Sequence, residues 1–325
     1  MKAVVQDTYG PPSVLRVEET DRPVPGPGEV LVRVHAAGVD QGVWHLMAGM
    51  PYLLRGLGFG LRAPRNRVRG TDLAGRVEAV GAGVTRFAPG DEVYGSGAGT
   101  FAEYARAEAA HLAPKPRRLG FEEAAAVPVS ACTALQALRD TGRLRAGQHV
   151  LVIGASGGVG SYAVQLAKAL GAAHVTGVCG TAKTAFVRSL GADEVVDHTR
   201  DDPTDGTRRY DLVLDIAGNR RLSRLRRALT PEGTLVIVGG EHGGRWTGGI
   251  GRQLRGLLLS SVVRHRIRTL VATQPAADLE GLAEFVDAGA VTPAVDHVYP
   301  SLADVPEAVR RLRAGEVRGK LVLRV

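Results

Sequence analysis

Apolar and polar residues follow two different patterns along the 325-residue chain. In the first third, short apolar or alternating runs such as residues 1–5 and 29–35 are separated by clusters rich in proline and glycine. This pattern predicts strands joined by turns. From residue 123 onward, apolar runs alternate with helix-like segments, which is typical of a parallel sheet with helices on both faces. These runs are residues 150–153, 175–178, 195–196, 212–214 and 235–238.

The patterns predict an α/β protein with three consecutive segments. Residues 1–122 are expected to form a β-rich domain, and residues 123–272 a doubly wound parallel sheet closed by a strand near Leu270. Residues 273–325 contain two helical stretches and a final strand, and we expect them to return to the first domain.

A glycine-rich turn follows the first apolar run of the second domain. It lies between a strand-like segment and the helix-like residues 161–170. Glycines in this position let the backbone approach a pyrophosphate, and the helix N-terminus attracts the same phosphates. The strand–turn–helix context therefore predicts a dinucleotide site. Its predicted phosphate-binding residues are Ala155, Ser156, Gly157, Gly158, Val159 and Gly160.

The end of the next apolar run indicates which dinucleotide is bound. Cys179 stands where an acidic residue would hold the ribose 2′-hydroxyl of NAD. Gly180, Thr181 and Lys183 follow, and their N–H, hydroxyl and ammonium groups are suited to a 2′-phosphate. We therefore predict that the chain binds NADPH rather than NADH.

Composition excludes several classes of protein. The formal net charge is +8, but the basic residues are mostly arginine and form no run interleaved with aromatic residues. We interpret this charge as compositional bias rather than as a nucleic-acid surface. Two cysteines, Cys132 and Cys179, favour a reducing, cytoplasmic location over a disulfide framework. No run approaches the ~20 apolar residues of a membrane helix.

Residues 243–268 combine Trp246 and several leucines with six arginines. Such a segment could form a basic amphipathic helix on a membrane surface. It could also cap a substrate cleft or a subunit interface. We favour the cleft or the interface, and we expect the part from Trp246 to Val263 to line the substrate opening.

Several strings in the usual order give the chain a resemblance to the medium-chain dehydrogenase/reductase superfamily. They cover nearly the whole chain and include Pro-Gly-Pro-Gly-Glu-Val at 25–30 and Gly-Thr-Asp-Leu-Ala-Gly at 70–75. The others lie at 87–95, 99–104, 124–128, 155–160 and 188–193. The resemblance implies a GroES-like catalytic domain beside a Rossmann domain. Within the superfamily the chain resembles the zinc-free quinone oxidoreductase branch, in a subgroup with chloroplast-envelope members.

At three positions the residues of this chain can be compared with the zinc ligands of zinc-dependent relatives. Where those proteins place cysteine, histidine, and cysteine or aspartate ligands, this chain has Asp40, Thr71 and Val129. The resemblance thus implies that no catalytic metal is bound. The zinc-free subgroup usually has Asn in place of Asp40 and Asp in place of Val43, so the cleft of this chain departs from the subgroup at two positions.

The resemblance also implies roles for individual residues. Tyr52 is expected to face the substrate, and Asp40 is either a catalytic carboxylate or a hydrogen-bonded structural one. His198 stands where relatives often have a tyrosine near the adenosine phosphate. The residues implied near the nicotinamide and its ribose are Thr133, Ala217, Gly218, Gly239, Gly240 and Lys320. A homodimer is expected from the resemblance alone.

Without a metal to polarise a ketone, reduction of an activated C=C bond or a quinone is the expected reaction. The leading hypothesis is an NADPH-dependent reductase of quinones or α,β-unsaturated carbonyl compounds. Two alternatives stay open at this point. One is a reductase that tailors a single specialised metabolite. The other is a non-catalytic NADPH-binding protein, with nucleic-acid binding as one form of this alternative.

Overall fold

A computed structural model describes residues 1–240, 244–260 and 263–325. The strands are β1 (Lys2–Val5), β2 (Arg16–Glu19), β3 (Glu29–Val39), β4 (Asp72–Val80), β5 (Glu92–Ser96), β6 (Tyr104–Glu108), β7 (Leu112–Pro114), β8 (His149–Ile153), β9 (His174–Cys179), β10 (Glu194–Asp197), β11 (Tyr210–Asp215), β12 (Leu229–Ile237), β13 (Arg266–Thr269), β14 (Val295–Tyr299) and β15 (Lys320–Arg324). The α-helices are α1 (Gln41–Ala48), α2 (Phe121–Ala125), α3 (Pro128–Gln136), α4 (Gly158–Ala169), α5 (Thr184–Ser189), α6 (Leu222–Arg227), α7 (Ile250–Ser260), α8 (Ala276–Asp287) and α9 (Val305–Arg313).

The chain folds into two compact units. The first contains Met1–Cys132, Thr273–Gly289 and Pro293–Val325, and the second contains Thr133–Ala272 and Ala290–Thr292. The first division therefore falls after Cys132, where the sequence analysis placed it after residue 122. Most of the tail belongs to the first unit.

The first unit is built on a largely antiparallel sheet in the order β14-β15-β3-β4-β5-β7, with β6 also paired to β3. Strand β3 is buried along most of its length because neighbours lie on both sides and the core packs on its faces. Strand β14 pairs in parallel with β15. Strand β14 was not predicted from the sequence, since four of its five residues are only partly buried or exposed and its apolar pattern is weak.

The second unit contains a six-stranded sheet in the order β10-β9-β8-β11-β12-β13, and every pair in it is parallel. This is the strand order of dinucleotide-binding folds, in which the chain reverses direction across the sheet between β8 and β11. Parallel strands are buried on both faces, so β8 and β9 read as nearly continuous apolar runs. The predicted α/β class with a doubly wound sheet and a β-rich domain is confirmed.

Within the described residues, the structure shows no helix with both the length and the apolar character that a membrane span requires.

Candidate functional site

The glycine-rich turn connects β8 to α4 at the carboxyl edge of the parallel sheet. Gly154 has a φ of +92°, and Gly157 caps α4 without a side chain of its own. The N–H groups of the first turn of α4 have no acceptor within the helix. A β-carbon on Gly160 would lie 2.1 Å from the carbonyl oxygen of Gly154, so only glycine lets α4 approach the turn this closely. This cradle fits a pyrophosphate group.

The loops after β11 and β12 meet the glycine-rich turn. The N–H of Ala217 donates to the carbonyl of Ile153, the last residue of β8, at 3.2 Å. A β-carbon on Gly218 would lie 2.8 Å from backbone atoms of Gly239 and Gly240. Four residues implied by the resemblance therefore lie together at the carboxyl edge of the sheet, where dinucleotides bind in this fold. Thr133, on α3, is nearly buried in the same unit.

The residues predicted to choose between NADPH and NADH cluster at the ends of β9 and β10. Cys179 is 3% exposed, and burial raises the pKa of its thiol, while the Lys183 ammonium opposes that shift. A β-carbon on Gly180 would lie 3.7 Å from Nε2 of His198. Lys183 ends a short 3₁₀ turn, Thr181–Lys183, that leads into α5. The structure therefore brings Cys179, Gly180, Thr181, Lys183 and His198 to one place.

Asp197 is a member of this cluster that the sequence analysis missed. It ends β10 beside Cys179 and accepts the hydroxyl of Thr181 at 2.6 Å and that of Thr199 at 2.8 Å. These hydrogen bonds, led by that of Thr181, lower the pKa of the carboxyl group. The Thr181 hydroxyl is thus engaged with a carboxylate. The signal that could have revealed Asp197 is its position at the carboxyl end of the strand next to β9.

A second missed acid, Asp215, ends β11 at the same edge of the sheet. Its fully buried carboxylate accepts the N–H of Gly218 at 3.2 Å and pairs with the Arg252 guanidinium of α7. Burial raises the pKa of Asp215, and the charge of Arg252 opposes this. The pair anchors α7 beside the loop that follows β11.

Part of the Trp246–Val263 segment lines a cavity in the second unit. The cavity has a volume of about 600 Å³ and is also lined by Gly218 and Gly240. Thr247, Arg252 and Arg255 contribute to it from the segment. Ser261 and Val262 lie outside the described residues, as does Gly243 at the start of the wider segment. Leu254 and Leu258 are exposed on α7. The role predicted for this segment, which is to line the substrate opening, stays a prediction.

Asp40 caps α1 in the first unit. One oxygen of its carboxylate accepts the N–H groups of Gly42 at 2.7 Å and Val43 at 3.3 Å. The other oxygen is buried and has no hydrogen-bond partner in the part of the chain that the structure describes. The cap accounts for an acid at this position, and the second oxygen leaves one acceptor for a ligand.

Tyr52 is half-buried just after α1, in a loop tied down by Arg55. The Arg55 guanidinium lies 4.7 Å from the centre of the Tyr52 ring, and its Nε donates to the carbonyl of Gly49 at 2.8 Å. Two such contacts restrict the loop that carries the phenol.

The three positions where zinc-dependent relatives have ligands surround a buried ion pair. Asp72, next to Thr71 in the chain, accepts Nζ of Lys320 at 3.0 Å and the N–H of Val129 at 3.0 Å. Burial, together with the charge of Asp40, raises the pKa of Asp72 to about 7 against the opposing charge of Lys320. The structure thus places Lys320, which the resemblance puts near the cofactor, in a fully buried contact with Asp72.

No group of three or more His, Cys, Asp or Glu side chains is arranged to hold a metal ion within residues 1–240, 244–260 and 263–325.

Comparisons with known proteins agree with this architecture. Residues 26–117 match the alcohol dehydrogenase GroES-like domain family, and residues 190–323 match the zinc-binding dehydrogenase family. The chain is 32% identical to a chloroplast envelope quinone oxidoreductase homolog of Arabidopsis thaliana, over 99% of this chain and 98% of that protein. The chain belongs to the medium-chain dehydrogenase/reductase superfamily. The predicted resemblance is confirmed.

Two solved structures illustrate the range of cofactors among similar proteins. The Escherichia coli quinone oxidoreductase complexed with NADPH has a TM-score of 0.85 at 25% identity, with all of both chains covered. A structure described as an NAD-dependent alcohol dehydrogenase has a TM-score of 0.82 at 32% identity, again over the full length of both chains. The chain is therefore an oxidoreductase by membership of its family, while the choice of cofactor depends on its own residues.

Proposed function

We propose that this oxidoreductase uses NADPH to reduce quinones or the activated C=C bond of α,β-unsaturated carbonyl compounds, without zinc. The observation that carries the proposal is the cradle between β8 and α4, followed by Cys179 where an NAD-dependent protein would have an acid. Quinone oxidoreductases among its relatives and structural neighbours support the substrate class.

Bound NADPH would supply a hydride from its nicotinamide ring. Addition of that hydride and a proton across the C=C bond of an enone gives the saturated ketone and NADP⁺. A quinone gains the same hydride and one proton to give the hydroquinone. The protein must position the substrate and donate a hydrogen bond to the developing enolate oxygen. We assign this donor role to the phenol of Tyr52, because Arg55 restricts its loop.

The zinc-free mechanism rests on the residues at the three ligand positions. Asp40 uses a carboxylate oxygen as a helix cap, Thr71 has a hydroxyl, and Val129 contributes only a backbone N–H. Thiolate and imidazole groups, which zinc prefers, are missing from these three positions. Elemental analysis should therefore find no stoichiometric zinc, and zinc that is needed for turnover would contradict this part of the proposal.

The preference for NADPH rests on Lys183 and on the absence of an acid at position 179. Asp197 is close to both, but its oxygens already accept two threonine hydroxyls and the N–H of Thr199. We propose that these bonds hold the carboxylate in place and that Lys183 binds the 2′-phosphate. A homodimer and a cytoplasmic location remain expectations. A small-molecule carbonyl or quinone substrate is also an expectation. The same holds for the absence of a nucleic-acid or membrane partner.

The direct test is NADPH consumption, followed at 340 nm, with a panel of quinones and enones. Turnover of either class supports the reductase. Tight NADPH binding without turnover of any panel member would favour a non-catalytic NADPH-binding protein instead.

A further inference from the structure

Arg69 is a buried cation without an acidic partner. The residue is 6% exposed, and its side chain makes no ion pair or hydrogen bond with any residue that the structure describes. Its Nε is buried and unpaired. The backbone on either side is fixed, since the N–H of Arg69 donates to Val4 and its carbonyl accepts from Phe101 at 2.9 Å. The fold therefore holds the backbone of Arg69 in place.

Burying an unpaired charge is costly, and proteins rarely do so unless a ligand completes the pair. Burial lowers the pKa of Arg69 from its ordinary value. A guanidinium stays protonated in such a setting, so the first unit holds an unneutralised positive charge. Oγ1 of Thr100 is also buried and has no hydrogen-bond partner among the residues that the structure describes. A β-carbon on Gly70, the residue after Arg69, would lie 2.4 Å from this oxygen.

Arg69 lines a cavity of about 500 Å³ that lies within the first unit. Arg65 and Arg106 also line the cavity, and no Asp or Glu does. Arg106 is paired with Glu29 at 3.3 Å, which leaves Arg69 and Arg65 to set the charge of the cavity. Two guanidinium groups that no acid of the lining neutralises make a site for an anion.

The rest of the lining indicates what kind of anion fits. Leu46 and Phe59 give the cavity an apolar wall. Its volume lies within the range of about 300–1,000 Å³ that is typical of small-molecule sites and exceeds what an inorganic ion needs. Thr71, at a position that carries a zinc ligand in metal-dependent relatives, also lines it. An organic acid with an apolar body matches these features.

We propose that this cavity binds the carboxylate of the substrate through Arg69, so that the proposed reductase acts on α,β-unsaturated ketones that carry an acid group. Reduction of these ketones rests on the proposed function, whereas binding of a carboxylate in the cavity does not. Arg69 is then a specificity-determining residue, because its buried guanidinium is neutralised only when an anionic ligand binds.

The binding test compares two matched enones, 3-benzoylacrylate and its methyl ester, by titration calorimetry on the full chain without NADPH. We expect the wild type to bind the carboxylate at least tenfold more tightly than the ester. Arg69→Met should lose this difference, and Arg69→Lys should retain part of it. Arg62→Met removes an exposed arginine outside the cavity lining and should behave as the wild type. Equal affinities for acid and ester in the wild type would overturn the proposal.

Thermal unfolding controls for misfolding of the Arg69 variant. Removal of an unpaired buried charge should raise the melting temperature of Arg69→Met above that of the ligand-free wild type. Added 3-benzoylacrylate should raise the melting temperature of the wild type but not that of Arg69→Met. A rise with ligand in the variant as large as that in the wild type would contradict the role of Arg69.

Turnover with NADPH separates this inference from the proposed function. Reduction of acid and ester with equal kcat/KM would refute the carboxylate site but leave the reductase in place. Tight binding of the acid without reduction of either compound would refute the reductase but leave the anion site in place.

Discussion

Substitution of Gly160 by alanine should damage both the fold of the second unit and its affinity for NADPH. The new methyl group would lie 2.1 Å from the carbonyl oxygen of Gly154 and 2.7 Å from Cα of Ala155. Both obstacles are backbone, so no side chain can rotate away. Separation to an ordinary contact distance requires α4 and the turn to move apart by about 1 Å, which is the scale of core overpacking that costs about 1–3 kcal/mol.

This displacement has two measurable consequences. The free energy of unfolding should fall by about 1–3 kcal/mol, which lowers the melting temperature by about 2–4 °C for each kcal/mol in a domain of this size. The first-turn N–H groups of α4 should also lose their alignment with the phosphates. Charge-assisted hydrogen bonds contribute about 1.5–3 kcal/mol each, so the Kd of NADPH should rise at least about tenfold.

Gly157→Ala is the matched control for this substitution. Its methyl group would lie 3.7 Å from the same Gly154 oxygen, an ordinary contact, and its φ of −86° suits alanine. The control should melt as the wild type does, yet bind NADPH more weakly, because the methyl group occupies the approach to the pyrophosphate. Calorimetric titration and thermal unfolding of both variants test the reasoning. A Gly160→Ala protein that melts and binds as the wild type would refute it, as would a Gly157→Ala protein that is equally destabilised.

Two further substitutions test individual residues. Asp197→Asn should strengthen NADPH binding severalfold and leave NADH binding nearly unchanged, because it removes a negative charge near the proposed 2′-phosphate site; a fall in NADPH affinity would mean that the carboxylate positions the site instead. Tyr52→Phe should slow quinone or enone reduction with little change in the Kd of NADPH, since the hydroxyl is proposed to act on the developing enolate; unaltered kcat/KM with several substrates would reduce Tyr52 to a packing role.

The parts of the fold that rest on local pattern could be predicted from the sequence. Strands β8 and β9 are nearly continuous apolar runs because both of their faces are buried. The glycine-rich turn has a spacing that few other structures require. The helix cap formed by Asp40 could also be predicted from the sequence, since aspartate before a helix is a common N-cap.

Contacts between distant residues could not be predicted in this way. Asp72 and Lys320 are separated by 248 positions in the chain, and only the completed sheet of the first unit brings them together. Asp197 approaches Thr181 because β10 pairs with β9. The burial of Arg69 depends on β1 and on the segment around Phe101, and nothing in the sequence around Arg69 distinguishes it from the exposed arginines nearby.

The central claim is that the second unit recognises a dinucleotide that carries a 2′-phosphate. Dissociation constants for NADPH and NADH, measured side by side on the wild type and on Lys183→Ala, test it most directly. We expect the wild type to bind NADPH at least about tenfold more tightly, as one charge-assisted hydrogen bond implies, and Lys183→Ala to lose most of that preference. A preference that survives in Lys183→Ala would assign phosphate recognition to other residues, whereas equal affinities for the two cofactors in the wild type would contradict the claim itself.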